Sequence, residues 1–113
     1  MLRKEFRVTK KRDFEKIRKK GKFFSNSDLA INFISNHLSI SRVAIIISKK
    51  LLKKAIQRNR LRRQIREAIR LNFLKIKPGF DLAILLRKDI SSWDFKKIES
   101  RLIETLKKTG LLK

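Results

Sequence analysis

Apolar residues recur along this 113-residue chain in two rhythms, and the switches between them divide it into elements. Phe14 and Ile17 stand three apart among helix formers, which predicts a short first helix over residues 10–20 with Gly21 as its C-terminal stop. Over residues 28–34, Leu29, Ile31 and Phe33 alternate with Ala30, Asn32 and Ile34, the period-two pattern of a strand with one wetter face. A polar, turn-like stretch over 35–41 leads into Val43, Ala44, Ile45, Ile46 and Ile47, an unbroken apolar run expected of a central strand covered on both faces. After a long segment with helical periodicity, Lys77, Pro78 and Gly79 introduce a second apolar run, Phe80 to Leu86, interrupted only by Asp81. Strand, long helix, strand is the spacing of a crossover unit, so these two runs are expected to pair in parallel. Ser91 and Asp94 read as a capping pair for a last helix whose Phe95, Ile98, Leu102 and Leu106 form one stripe and which Gly110 ends. The sum is a small sheet with helices on one face and the other open as a cleft, in a single domain whose first eight residues are loose.

Charge changes this picture from a generic domain to a polyanion binder. Lys and Arg number 32 against 10 Asp and Glu, a net charge of +22, whereas solubility needs only about 2 to 8 in magnitude for a small domain. The excess calls for a polyanionic partner, and nucleic acid is the first candidate. Disorder is not implied, because 42% of residues are hydrophobic and only three Gly and one Pro occur. With no cysteine, disulfides and thiolate chemistry are excluded. No segment approaches the roughly 18 apolar residues of a membrane helix, and no secretory signal opens the chain, so a cytoplasmic protein without a membrane partner is expected.

Between positions 49 and 70 the chain packs ten Lys and Arg against one acid, Glu67. At 100° per residue Leu61, Ile65, Ala68, Ile69, Asn72 and Phe73 fall on one arc, which should pack on the sheet. Asn59, Arg60, Arg63, Arg66, Glu67 and Arg70 fall largely on the other, while Arg58 projects into the apolar arc and Arg62 lies at its edge. A merely solvated face would mix signs and favour Lys. Arg instead offers planar, bidentate recognition of phosphate. Arg58, Arg62, Arg66 and Arg70 recur every four residues, a ladder about 18 Å long at 1.5 Å per residue. Lys49, Lys50, Lys53 and Lys54 extend it at the helix N-terminus, where the dipole also favours anions.

The block AIQRNRLRRQIREAIR over 55–70, preceded by RVAIIISKK over 42–50, resembles the protein subunit of bacterial ribonuclease P. DFEKIRKKG over 13–21 and PGFDLAILLRK over 78–88 fit the same frame, so the resemblance runs nearly the full length. It implies an α+β fold, an α/β sandwich of αβββαβα order, whose small mixed sheet has a left-handed crossover through the arginine-rich helix. It further implies that a catalytic RNA subunit and its Mg²⁺ ions remove the 5′ leader of precursor tRNA, the protein itself holding no metal or other cofactor and supplying no catalytic residue. Arg58, Asn59, Arg60, Arg62, Arg63, Arg66 and Arg70 match the block and inherit contact with the catalytic RNA. Phe14, Ile17 and Ser48 match cleft positions and inherit contact with the leader of precursor tRNA, with Arg18 and Asn32 standing in the same cleft where family members tend to carry aromatic residues. A further departure is Leu52, Lys53 and Lys54, which replace the family's Gly-Asn turn.

The residues alone support the same division of labour. The lone His37 lies in a turn-like segment and reads as a surface histidine, and the acids are scattered without a tight pair beside it, so protein-based acid–base hydrolysis is poorly supplied. Phe14 and Phe33, taken alone, read as core, and Trp93 as core or helix-edge packing. Composition by itself permits a ribosomal or general RNA-binding protein equally well. A cationic membrane-surface protein is favoured only by charge, and the continuous apolar strands argue against it.

Overall fold

The two apolar runs that flank the basic helix do lie side by side in parallel. In the computed structural model, which describes residues 3–113, they are β3 (Arg42–Ile46) and β4 (Phe80–Leu86), joined through α2 (Ala55–Asn72). Ahead of them come α1 (Lys11–Lys20), β1 (Lys22–Ser25) and β2 (Leu29–Ser35), and α3 (Phe95–Thr109) follows, giving the expected αβββαβα order. The sheet runs β1-β2-β4-β3 with β1–β2 and β2–β4 antiparallel, so it is mixed. Lys22 to Ser25 is too short a strand for its alternation to stand out in the chain.

One expectation is corrected by the strand order. The β3 run was expected to be central, yet β4 takes that place and β3 lies at the end of the sheet. An unbroken apolar run says nothing about lateral neighbours, and coverage of both faces, also expected, is incomplete, since Ile46 is 39% exposed on the cleft side. The outer edge of β3 is met by the N-terminal segment, where Arg7 bridges to Val43 and the Val8 N–H donates to the Val43 carbonyl at 2.9 Å. The same segment belongs to the start expected to be loose. Val8 is buried, and the Phe6 ring packs on Phe73 with centroids 4.7 Å apart, so side-chain burial seats this stretch despite its charge. Met1 and Leu2 lie outside the described residues.

Strand alternation sorts the core into two layers. Leu29, Ile31, Val43, Leu82 and Ile84 face α2 and α3, meeting Leu61, Ile65 and Ile69 from one helix and Ile98, Leu102 and Leu106 from the other. The opposite face is narrower, with Ala44 and Ala83 beside Val8 and Ile17 and with Phe14, Ile34 and Leu85 around them. This face was expected to be open, and α1 covers part of it by packing over β2 and β4. Small alanines let that helix come close.

Capping follows the chemistry of two of the three residues singled out. The Asp94 carboxylate accepts the Lys97 N–H at 2.9 Å, and Gly110 ends α3 in the left-handed region at φ 80°. Ser91 takes no part in that cap, since its hydroxyl donates to Asp89 at 2.6 Å. Gly21 does follow α1, but at φ −75° it needs no left-handed freedom. Its reason is space: a Cβ there would overlap the Ile17 carbonyl oxygen and Asn32 Oδ1 and stand 2.9 Å from the Phe33 carbonyl oxygen. At Gly21 the chain leaving α1 passes too close to β2 for a side chain.

A buried carboxylate ties the β1–β2 turn to α3. Asp28, only 6% exposed, accepts from Lys88 Nζ at 2.8 Å and Arg101 Nε at 2.7 Å. The Lys88 ammonium, against the opposing effect of burial and together with Arg101, holds the Asp28 carboxyl below the usual carboxylate range. Two outcomes are expected. Gly21→Ala lowers stability by about 1–3 kcal/mol through steric overlap with backbone that cannot move aside, read as a lower denaturant midpoint with unchanged slope. Because Asp28 has a lowered folded pKa, its stabilisation is complete above the unfolded value near 4 and is lost as pH falls through the folded value. Asp28→Asn is therefore less stable at neutral pH and shows a shallower acid loss, measured as Tm across an acid pH series.

Candidate nucleic-acid interface

The apolar arc of α2 packs as its periodicity demands. Leu61, Ile65, Ala68, Ile69 and Asn72 are buried, with Phe73 half-buried just beyond the helix. Asn72 joins α2 to α3 by donating from Nδ2 to the Ala68 carbonyl at 2.8 Å and to Glu99 Oε2 at 2.9 Å. With that arc fixed, Asn59, Arg60, Arg63 and Arg70 are exposed, and Arg66 and Glu67 are half-buried.

The four-residue ladder does not present four equivalent cations. Arg58 turns back from the apolar arc, and its Nη1 donates to the Leu52 and Lys53 carbonyls, both at 2.8 Å. Leu52 is itself buried, so the unusual turn before α2 is held by an apolar anchor and an arginine clamp. Arg62 Nη1 donates to Asn59 Oδ1 at 2.8 Å. Arg70 grips Glu67 through Nε and Nη2, and this pairing holds the Glu67 carboxyl below its usual range. Arg66 is lowered from its ordinary pKa first by burial, then by the charges of Arg7 and Arg62. Arg60 and Arg63 point outward with no ion-pair partner among the described residues. Lys49, Lys50, Lys53 and Lys54 are all exposed, and α2 starts after its N-cap residue Lys54 with no side-chain cap and no acid in its first turn. Its first N–H groups thus add to the positive potential.

On the opposite face of the sheet lies a cavity of about 500 Å³, and Phe14, Ile17, Arg18 and Asn32 all line it, with Ile46 and Leu85. Ile17, on α1, is 1% exposed and contributes an apolar part of the lining. Asn32 Oδ1 is buried without a hydrogen-bond partner. Ser48, expected in the same cleft, is not among its lining residues. Its hydroxyl accepts the Lys50 N–H at 2.9 Å and its carbonyl the Leu51 and Leu52 N–H groups, so Ser48 shapes the turn before α2.

Sequence reasoning missed Arg7. It sits half-buried with Nε unpartnered, and with Arg66 and Phe14 it borders a cavity of about 140 Å³ beside Val43, Ala44 and Ile45 of β3. Arg66 comes from the helix on one face of the sheet and Phe14 from the helix on the other, so the basic ridge and the cleft meet around the β3 edge. No local pattern marks Arg7; only its bridge to β3 places it. Among the described residues no three His, Asp or Glu side chains converge as metal ligands, and no helix is long and apolar enough to cross a membrane.

Comparison with known proteins agrees over nearly the whole chain. Residues 2–110 match the family described as Ribonuclease P. The chain is 38% identical over 109 residues to the ribonuclease P protein component of Clostridium botulinum (strain Loch Maree / Type A3), covering 96% of this chain and 97% of that one. It is 44% identical over 105 residues to the same component of Clostridioides difficile (strain 630), covering 92% and 91%. Among solved structures, the RNase P protein of Thermotoga maritima superposes with a TM-score of 0.82 at 35% identity, covering 90% of this chain and 96% of that one. The Staphylococcus aureus RNase P protein gives 0.85 at 28% identity, covering 96% and 98%. With the basic helix, the sheet and the cleft all falling within the matched residues, the chain belongs to the ribonuclease P protein family.

Proposed function

We propose that this chain, the protein component of a tRNA-processing endoribonuclease, holds two RNAs on two surfaces and leaves the cutting to one of them. The outward arginines Arg60 and Arg63, with Asn59, Arg62 and Arg66 and with Lys49, Lys50, Lys53 and Lys54 at the helix start, bind the catalytic RNA. The cleft lined by Phe14, Ile17, Arg18 and Asn32 takes the 5′ leader of precursor tRNA. Mg²⁺ acts through the catalytic RNA, and the complex works in the cytoplasm. The observation that carries this reading is the meeting of ridge and cleft at Arg7 and Arg66. One continuous positive path lets an RNA bound along α2 deliver a single strand into the cavity behind it.

The chemistry suits the two occupants. A ridge of exposed guanidinium and ammonium groups tracks phosphates without reading sequence. A cavity with an apolar floor, an aromatic wall and Arg18 at its rim suits an unpaired strand, whose bases seek apolar contact while its phosphates seek charge.

Reconstitution with a bacterial ribonuclease P RNA tests the whole reading: precursor tRNA should be cut at low Mg²⁺ only when this protein is present, and no stimulation would overturn it. Arg60→Ala and Arg63→Ala should each weaken assembly with the RNA and reduce the salt slope of binding by about 1, with melting unchanged. Arg58→Ala should instead lower the melting temperature, because it releases two carbonyls of the turn before α2. Phe14→Ala should leave assembly intact and weaken precursor tRNA relative to mature tRNA by about 1–3 kcal/mol. Finding the assembly and leader phenotypes exchanged would break the assignment of the two surfaces.

A further inference from the structure

The Phe-Phe pair on β1 is split by strand alternation. Phe24 stands opposite Ile31 on the helix-covered face and is half-buried, whereas Phe23 stands opposite Asn32 on the cleft face and is 63% exposed. On that face the register places Phe23, Asn32, Ala83 and Ala44 in one row across the four strands. The helix α1 packs over β2 and β4, so Phe23 lies just past its cover, beside the cavity wall formed by Asn32 and Arg18. At the other end of the sheet Ile46, also on this face, is 39% exposed. Apolar surface is thus offered at both ends of a floor about 14 Å wide at the usual strand spacing.

The surroundings of Phe23 decide what it offers itself to. Lys16, Arg18, Lys19, Lys20 and Lys22 precede it with no acid before Asp28, and Asp28 is occupied by Lys88 and Arg101. A second copy of a chain carrying +22 would be repelled from this edge. An exposed aromatic ring among cations is the combination that binds a single-stranded nucleic acid, the ring stacking a base and the ammonium groups taking its phosphates.

We infer that Phe23 is a stacking platform for an unpaired nucleobase of the substrate leader, extending the cleft beyond Asn32 onto β1. This rests on the reading that the cleft holds the leader. Its ring sets how many leader nucleotides the protein senses. Being exposed, it can be replaced without disturbing the core.

The test uses the holoenzyme reconstituted with a bacterial ribonuclease P RNA and precursor tRNAs whose leaders are shortened stepwise. Wild type should gain affinity with leader length. Phe23→Ala should lose about five- to a hundredfold on the longest leader, the worth of one stacked base, and nothing on the shortest, while Phe23→Trp restores the wild-type profile. A 2-aminopurine moved along the leader should be quenched at one or two adjacent positions by wild type and stay bright at those positions with Phe23→Ala. A loss equal at every leader length, no loss at any, or unchanged 2-aminopurine quenching would overturn the inference, as would a variant that changes only self-association in sedimentation. If wild-type affinity ignores the leader, the reading of the cleft falls and Phe23 with it. If wild type follows leader length and Phe23→Ala follows it identically, only the role of Phe23 falls.

Discussion

Everything on this molecule depends on the grip of the sheet on the inner arc of α2. Six arginines ride on that helix with one glutamate, and the like-charge pairs Arg58–Arg62, Arg62–Arg66 and Arg66–Arg70 each oppose helix formation by about 0.2–0.5 kcal/mol. Burial of Leu61, Ile65 and Ile69 supplies about 1.5–3 kcal/mol apiece and so outweighs the repulsion. The helix is not a stable cation rod that happens to dock. Docking is what makes the rod.

The same competition explains how the arginines divide. Arg58, which projects into the packed arc, clamps two carbonyls, and Arg66, on the polar side but beside Arg7, is desolvated. Arg60 and Arg63, on the far side and without an acid beside them, are left facing water, while Arg70 on the same side is held by Glu67. Spacing in the chain makes the ladder look uniform, while burial grades it. Beside burial, the Arg7 charge is what disfavours the charged form of Arg66 where the two line one cavity.

What the chain disclosed unaided was periodic. The arc of α2, the stripe of α3 and the parallel pairing of the two apolar runs follow from alternation and helical spacing, which are local properties. What it withheld was lateral or long-range. The terminal place of β3, the seating of Arg7 and Val8 along it and the strand at Lys22–Ser25 depend on which segment lies beside which. Short polar side chains are hard to place for a related reason: Ser48 and Ser91 each bond within two residues of their own position. Phe14, Ile17, Arg18 and Asn32 were named from the family frame and line one cavity, whereas the exposed side of Phe23 was not legible, because only register shows which face of β1 it occupies.

The glycine between α1 and β1 sets a dimension. Since the Ile17 and Phe33 carbonyl oxygens leave no room for a Cβ at Gly21, with Asn32 Oδ1 the one side-chain atom beside them, the gap between helix and sheet is gauged largely by main chain, whereas its walls are side chains such as Phe14 and Arg18. Calibre and taste are therefore inherited separately. Substitution along the walls can retune what the cleft admits while its bore stays constant.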